Sequence, residues 1–242
     1  MSMRRVVGAV LGTMLGGLSL TGCAPPSAAD RFTDPQVIAL VEAAGGGDEA
    51  QVRGLVAAGA DLDARGEYGY TPLLAMVHTG DLLGVRTVLA AGADRDLALD
   101  EGATAVHVAA GRERSDMLEL LLDLGFDPST PNTVTGASPL RKAFLGHHID
   151  TVRVLLDAGT DVNLTDRTAH TPLHHAASIN YTDAVLLLLE AGADPTARTG
   201  TGATFQTYLF NFPERVLNER SLADRDRVED RLRELGIPSE RR

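Results

Sequence analysis

Apolar residues recur along this chain in short bursts at helical spacing, as in Val85, Val88 and Leu89, or Leu118, Leu121 and Leu122. Each burst ends at a glycine, and the glycines keep time. Gly59-Ala60-Asp61 returns as Gly92-Ala93-Asp94, Gly125-Phe126-Asp127, Gly159-Thr160-Asp161 and Gly192-Ala193-Asp194, at steps of 33, 33, 34 and 33 residues. A second phrase keeps the same beat. Thr71-Pro72-Leu73-Leu74 is followed by Thr104-Ala105-Val106-His107, Ser138-Pro139-Leu140-Arg141, Thr171-Pro172-Leu173-His174 and Thr204-Phe205-Gln206, at steps of 33, 34, 33 and 33. A regular period of this length marks a stack of repeated units, each too small to bury its own apolar face.

The unit is legible. Thr or Ser before Pro is an N-cap followed by the favoured first helical position, so each such pair starts a short first helix. A second helix is expected to start near Asp48, Asp81, Ser115, Asp150 and Asp183. The periodic glycine stops it, because glycine accepts the left-handed conformation there. Stretches such as "ADLDARGEYGY" read as a turn or short hairpin reaching towards the next unit. The pairs Ala109-Ala110 and Ala176-Ala177 let neighbouring first helices approach closely.

These two phrases resemble the ankyrin repeat family over roughly residues 34 to 238. The fold expected is an all-α repeat solenoid of about six repeats with atypical terminal caps, at approximately 34–66, 67–99, 100–133, 134–166, 167–199 and 200–238. In the first repeat Asp34-Pro35 caps the first helix and Gly45-Gly46-Gly47 separates it from the second. In the sixth, Thr204-Phe205 replaces Thr-Pro, and about eleven extra residues around Asn211 to Arg220 separate the helices. Ser221-Leu222-Ala223-Asp224 resembles a capping box. Val228, Leu232 and Leu235 are expected to face inward, and the charges between Asp224 and Arg233 to face water.

The N-terminus has a different character. A basic start, Met1 to Arg5, precedes an uncharged run from Val6 to Leu20, the layout of a secretory signal over residues 1–22. Leu20-Thr21-Gly22-Cys23 resembles the lipobox of bacterial lipoproteins. That resemblance implies cleavage before Cys23, lipidation of its sulfur, acylation of the new amino terminus and a stable tether. Cys23 is the chain's single cysteine, so no disulfide can form within the chain. Residues 23–33 read as the lipidated cysteine and a linker rich in Pro, Ala and Ser, and 239–242 as a tail. Ala24 in place of Asp implies the periplasmic side of the outer membrane, if the cell has two membranes.

Twenty basic and 33 acidic residues follow Cys23, a net charge of −13. That balance disfavours a nucleic-acid partner and an anionic lipid surface, and leaves the lipid on Cys23 as the contact with membrane. Lys142 is the only lysine. With no tryptophan and few aromatic residues, Leu, Val and Ala must supply the packing.

The search for chemistry is short. The resemblance implies that His107 and His174 bridge to the capping hydroxyl and nearby backbone. His147-His148 and His174-His175 are sequence neighbours, which on a helix point about 100° apart and make no two-ligand face. No set of Cys, His and Glu offers closed zinc geometry. There is no G-x-S-x-G stretch, and "GGGDEA" lacks the lysine of a phosphate loop. Neither enzyme activity, nor a cofactor, nor a metal is expected.

What remains is surface. Ankyrin repeats usually bind a protein partner with their hairpin tips and the exposed side of their first helices, and are commonly monomeric. Carried over by position, the candidates are Glu67, Tyr68, Tyr70 and His78 in repeat two, and Asp100, Glu101 and Arg112 in repeat three. Repeats five and six add Arg167, His170, Ile179 and Phe212. Two tyrosines at one tip either anchor a partner or merely cover the neighbouring hairpin. The reading is a protein-binding module at the bacterial envelope, as an immunity protein against an envelope-acting toxin or as a scaffold for another periplasmic protein.

Overall fold

The computed structural model describes residues 27–241. The signal segment, the lipobox, Cys23, the start of the linker and Arg242 lie outside the described residues. Within them the chain forms twelve α-helices and no strand. In chain order these are α1 Pro35–Gly45, α2 Glu49–Ala57, α3 Pro72–Thr79, α4 Leu82–Ala90, α5 Ala105–Ala110 and α6 Asp116–Asp123. They continue as α7 Leu140–Leu145, α8 Ile149–Asp157, α9 Pro172–Ser178, α10 Thr182–Glu190, α11 Phe205–Leu209 and α12 Glu219–Glu234.

The caps explain the starts. Asp34 accepts from the Gln36 amide at 2.8 Å and Thr71 from the Leu74 amide at 3.3 Å, each with proline at the next position. Asp48 and Asp81 cap α2 and α4 in the same way, accepting from Gln51 and Gly84 at 2.9 and 2.8 Å. Two second helices begin earlier than their aspartates suggest. His148 and Tyr181 occupy the N-cap positions of α8 and α10, and Asp150 and Asp183 fall inside the first turn. A carboxylate there still complements the positive end of the helix dipole. The period-marking glycines take φ of +103°, +100°, +78°, +80° and +88°, the left-handed stop expected of them.

The odd-numbered helices pack in succession from α1 to α11 and form an inner layer. The even-numbered ones form an outer layer, each of the first five lying on its own inner helix, while α12 packs on α10. Ala109, Ala110, Ala176 and Ala177 are completely buried between inner helices. Leu40, Leu121, Leu155, Leu188 and Leu232 are buried between the layers. The core runs unbroken from Ala28 to Leu232, so the part of the chain after Cys23 carries its own folding unit.

Both ends differ from the sequence reading. Ser27 to Phe32, expected as linker, pack against α1 and α3. Ala28, Ala29 and Phe32 are buried, and the Arg31 guanidinium lies 3.8 Å from the centre of the Tyr70 ring. The segment takes the place of a tip loop for the first repeat. At the other end α12 starts at Glu219, capped by Asn218, which accepts from the Ser221 amide at 2.8 Å. Ser221 is thus inside the first turn and not the cap.

Val228 and Leu232 are buried as expected, but Leu235 is 41% exposed and Arg225 only 1% exposed. Arg225 donates to the carbonyls of Phe212 and Leu209 and to Asn180 Oδ1, and so fixes the inserted loop to α11. The tail is docked. Gln206 Nε2 donates to the Pro238 carbonyl at 3.0 Å, and Arg241 pairs with Glu214, Asp226 and Glu229.

Candidate binding surface

Each tip loop is a narrow chain reversal closed at its base. The closing bonds run from the amides of Gly66, Leu99, Asn132, Asp166 and Thr199 to the carbonyls of Tyr70, Ala103, Ala137, His170 and Ala203, at 2.8 to 2.9 Å. Neighbouring tips are joined by one backbone bond per step. Asp100, Thr133, Arg167 and Gly200 donate to the carbonyls of Tyr68, Gly102, Thr135 and Thr168, at 3.0 to 3.1 Å. The tips therefore form one ladder. The close approach is visible at Gly102, where a Cβ would sit 2.5 Å from the Val134 amide nitrogen. Four tips carry a glycine with positive φ two residues before the Thr or Ser of the repeated phrase, and Ala169 holds that place in repeat five with φ +59°; Ser138 does not cap its helix as expected, since α7 starts one residue later with Pro139 at its N-cap.

Below the tips, histidines tie loops to inner helices. His107 Nδ1 lies 2.9 Å from Thr104 Oγ1 and its Nε2 3.0 Å from the Ala137 carbonyl. His174 makes the same bridge, 2.8 Å to Thr171 Oγ1 and 3.3 Å to the Ala203 carbonyl. Burial pushes both imidazoles below their ordinary pKa, so they are neutral near pH 7. His147 is not helical. It sits at φ +55° just before α8, and its ring packs against Tyr181.

Among the described residues Tyr68 is the most exposed of the large apolar side chains, at 68%, and its backbone has φ +55°. A bulky residue in the left-handed region is strained. Tyr70 is different from the expectation. It is 7% exposed, its hydroxyl lies 3.0 Å from His78 Nδ1, and Arg31 covers its face. That ring is part of the groove wall, because the first repeat's tip closes over it. Glu67 is exposed, and Asp100 is exposed with Arg65 at 3.6 Å. Glu101 pairs with Lys142 at 2.9 Å. Arg112 is half-buried and donates to the His78 carbonyl.

Tyr68, Tyr70, Asp100 and Glu101 line one cavity of about 470 Å³ with Arg31 and Leu99. Tyr70, His78 and Glu101 also line an adjoining cavity of about 430 Å³, whose floor is Val108, Lys142 and Leu145. A third, of about 640 Å³, lies where Arg112 and His78 face Glu42 and Met76. Glu67 instead lines a separate cavity of about 380 Å³ with Arg31, Phe32 and Arg65, and the other candidates of repeats two and three line the adjoining cavities between tips and inner helices.

The remaining candidates lie farther along the stack. Arg167 is exposed on the fifth tip and donates to the Thr133 carbonyl at 2.9 Å. His170 is half-buried, with Nε2 3.0 Å from the Tyr208 hydroxyl. Ile179 is half-buried just past α9, and Phe212 is half-buried in the inserted loop that Arg225 holds. One groove residue escaped the assignment by position. Lys142 stands on the inner helix of repeat four, and the one available clue was that it is the only lysine.

Under His170 lies a polar cluster. His175 Nε2 lies 3.1 Å from Asp166 Oδ2, and Asp166 Oδ1 accepts from the amides of Thr168 and His170 and from the Thr168 hydroxyl. Burial drives the His175 imidazole down to about 4, against the pull of Asp166. Burial acts to raise the Asp166 carboxyl, but its hydrogen bonds outweigh that and hold it below its ordinary value. His78 is also lowered, by burial and then by the charges of Arg31 and Arg112. No group of three or more His, Cys, Asp or Glu among the described residues has the arrangement to hold a metal ion. No helix among them is long and apolar enough to cross a membrane.

Comparison with known proteins agrees with this architecture. The family model "Ankyrin repeats (3 copies)" matches residues 40–132 and 125–199. Protein PhlB of Serratia liquefaciens is 40% identical over 79 residues, 33% of this chain and 35% of that protein. Inversin of Danio rerio is 40% identical over 73 residues, 30% of this chain and 7% of that protein. The chain thus spans only about a third or less of the length of these relatives.

Among solved structures, the ankyrin repeat domain of Bcl-3, a member of the IkappaB protein family, is similar with a TM-score of 0.63 and 26% identity. That match covers 77% of this chain and 81% of that one. The ankyrin repeat protein EF0377 gives 0.62 and 25%, covering 82% and 98%. Ladder, histidine bridges, layered helices and matched family model lead to one assignment: the chain belongs to the ankyrin repeat family, whose repeats form protein–protein interaction modules.

Proposed function

We propose that this chain is a non-enzymatic, monomeric protein-binding module tethered to a bacterial envelope through lipid on Cys23, holding a protein partner with its tips and inner helices. The observation that carries the binding reading is Tyr68, an exposed aromatic kept in a strained backbone conformation at the rim of the groove. The tip's turn uses the Tyr68 backbone, but its exposed ring makes no hydrogen bond among the described residues, and tyrosine is favoured at binding hot spots. The tether rests on Leu20-Thr21-Gly22-Cys23 following a basic start and an apolar run. In its sharper form the module is an immunity protein that caps an envelope-acting toxin. The other form is a scaffold for a periplasmic protein.

Fractionating cells that express the wild type and Cys23→Ser tests the tether. The wild type belongs with membranes and the variant with the soluble fraction, and equal partitioning refutes it. Deleting the gene separates the two forms: an immunity protein's loss sensitises cells to siblings in mixed culture, and normal growth there favours the scaffold.

A further inference from the structure

The two ends of the stack are closed in opposite ways. Before the first repeat, Ser27 to Phe32 stand in for a tip and are held by apolar burial of Ala28, Ala29 and Phe32. After the last, Pro238 to Arg241 lie over the start of α11. Gln206 reaches the Pro238 carbonyl 32 residues on, much as His107 and His174 reach tip carbonyls 30 and 29 residues on. This strap takes the place of a seventh tip, but among the described residues none after Leu232 is buried. What holds the strap is polar.

Its contacts fall into three sets. Gln206, 2% exposed, donates from Nε2 to the Pro238 carbonyl at 3.0 Å and accepts at Oε1 from the Glu240 amide at 2.8 Å. The hydroxyls of Thr204 and Thr207 donate to Glu240 Oε2 at 2.8 and 3.2 Å. Three carboxylates converge on the Arg241 guanidinium: Glu214 and Asp226 at 2.6 Å and Glu229 at 2.8 Å. Main chain, acidic side chain and basic side chain are thus each met by their own groups. Cover alone needs none of this, as the apolar segment at the first repeat shows. Beside the strap a cavity of about 610 Å³ is lined by Gln206, Thr207, Phe210 and Asn211. Glu214 and Asp226 are more than half exposed, and ion pairs so open to water hold weakly. When the strap lifts, the buried Gln206 amide and Thr204 hydroxyl lose their partners and the three carboxylates lose their cation.

We propose that repeat six carries a second docking site, specific for an extended segment with a glutamate followed by an arginine, and that Ser239 to Arg241 fill it in cis as a displaceable strap. A partner segment of the same chemistry binds by displacing the strap. The site is independent of the groove at repeats two and three.

The test uses residues 24–242, the same domain cut after Ile237, and a fluorescein-labelled peptide of the strap's own sequence, Pro-Ser-Glu-Arg-Arg. The cut domain is expected to bind the peptide. The intact domain should bind about tenfold more weakly, because its own strap competes at high effective concentration. Arg241→Gln in the intact domain loosens the strap without removing it and should bring peptide binding close to that of the cut domain. A peptide with glutamine in place of its glutamate and first arginine should bind neither form. The cut domain should melt close to the intact one, since Val228 and Leu232 still close the core. A collapse of the melt makes the strap a structural cap and overturns the proposal. So does failure of the cut domain to bind, equal binding by the cut and intact domains, or a glutamine peptide that binds as tightly as the original.

Discussion

The imidazole Nδ1 of His107 lies 2.9 Å from the hydroxyl of Thr104, and through the same ring the start of α5 is joined to the base of the next tip. Removing the ring leaves the buried Thr104 hydroxyl without a partner, takes one of two donors from the Ala137 carbonyl and loosens one rung of the stack. His107→Ala is expected to destabilise the domain by about 1–3 kcal/mol, and His174→Ala comparably. Urea unfolding followed by circular dichroism checks this, as a lower midpoint with an unchanged slope.

Arg225 is buried with its guanidinium on the carbonyls of Leu209 and Phe212. Truncating it leaves those acceptors unpaired and releases the inserted loop. Arg225→Ala should cost about 3 kcal/mol. Limited proteolysis of the variant should cut between residues 210 and 218 before anywhere else, and the wild type should resist there.

Tyr68 and Ala169 both hold a positive φ. Glycine at either position relieves that strain, and each substitution is expected to stabilise by about 1 kcal/mol. Tyr68→Gly should also lose partner affinity, whereas Ala169→Gly should keep it. Thermal melts and binding titrations on the two variants separate backbone strain from the aromatic contact.

Acid should weaken the fold before the carboxylates titrate. His175 is neutral in the folded chain, with its pKa driven to about 4, and in the unfolded chain it has the ordinary value of 6.5. The unfolded state therefore binds more protons between these values, and stability falls as pH falls through that window. His175 alone contributes about 3 kcal/mol of this loss. His107 and His174 act in the same direction, since burial lowers both. Below pH 4 the His175 contribution is constant. Denaturation midpoints from pH 7.5 to 4 should decline, and His175→Gln should flatten the decline.

The period, the caps and the stopping glycines were legible because they are local: a hydroxyl before a proline and a glycine after an apolar burst act within a few residues. The first tip was hidden because Asp34-Pro35 and Thr71-Pro72 stand 37 residues apart, off the beat, and because Ser27 to Thr33 continues a Pro/Ala/Ser-rich stretch. Phe32 was the available clue, an aromatic inside an apparent linker. Arg225 was misread from composition, although it shares a helical face with Val228 and Leu232, at spacings of three and four. For Tyr68 and Tyr70 the sequence shows two similar residues on one tip. Their opposite fates depend on Arg31 folding back over one of them, a contact between repeats.

The central claim is that the groove and its tips hold a protein partner. The direct measurement is capture from envelope extract of the native organism on immobilised residues 24–242, with Tyr68→Ala/Arg167→Ala as control. The account predicts one protein recovered at one-to-one stoichiometry and lost with the variant, whose thermal melt matches the wild type. A partner retained in full by the variant contradicts the assigned surface, and no protein enriched over the variant contradicts a resident envelope partner.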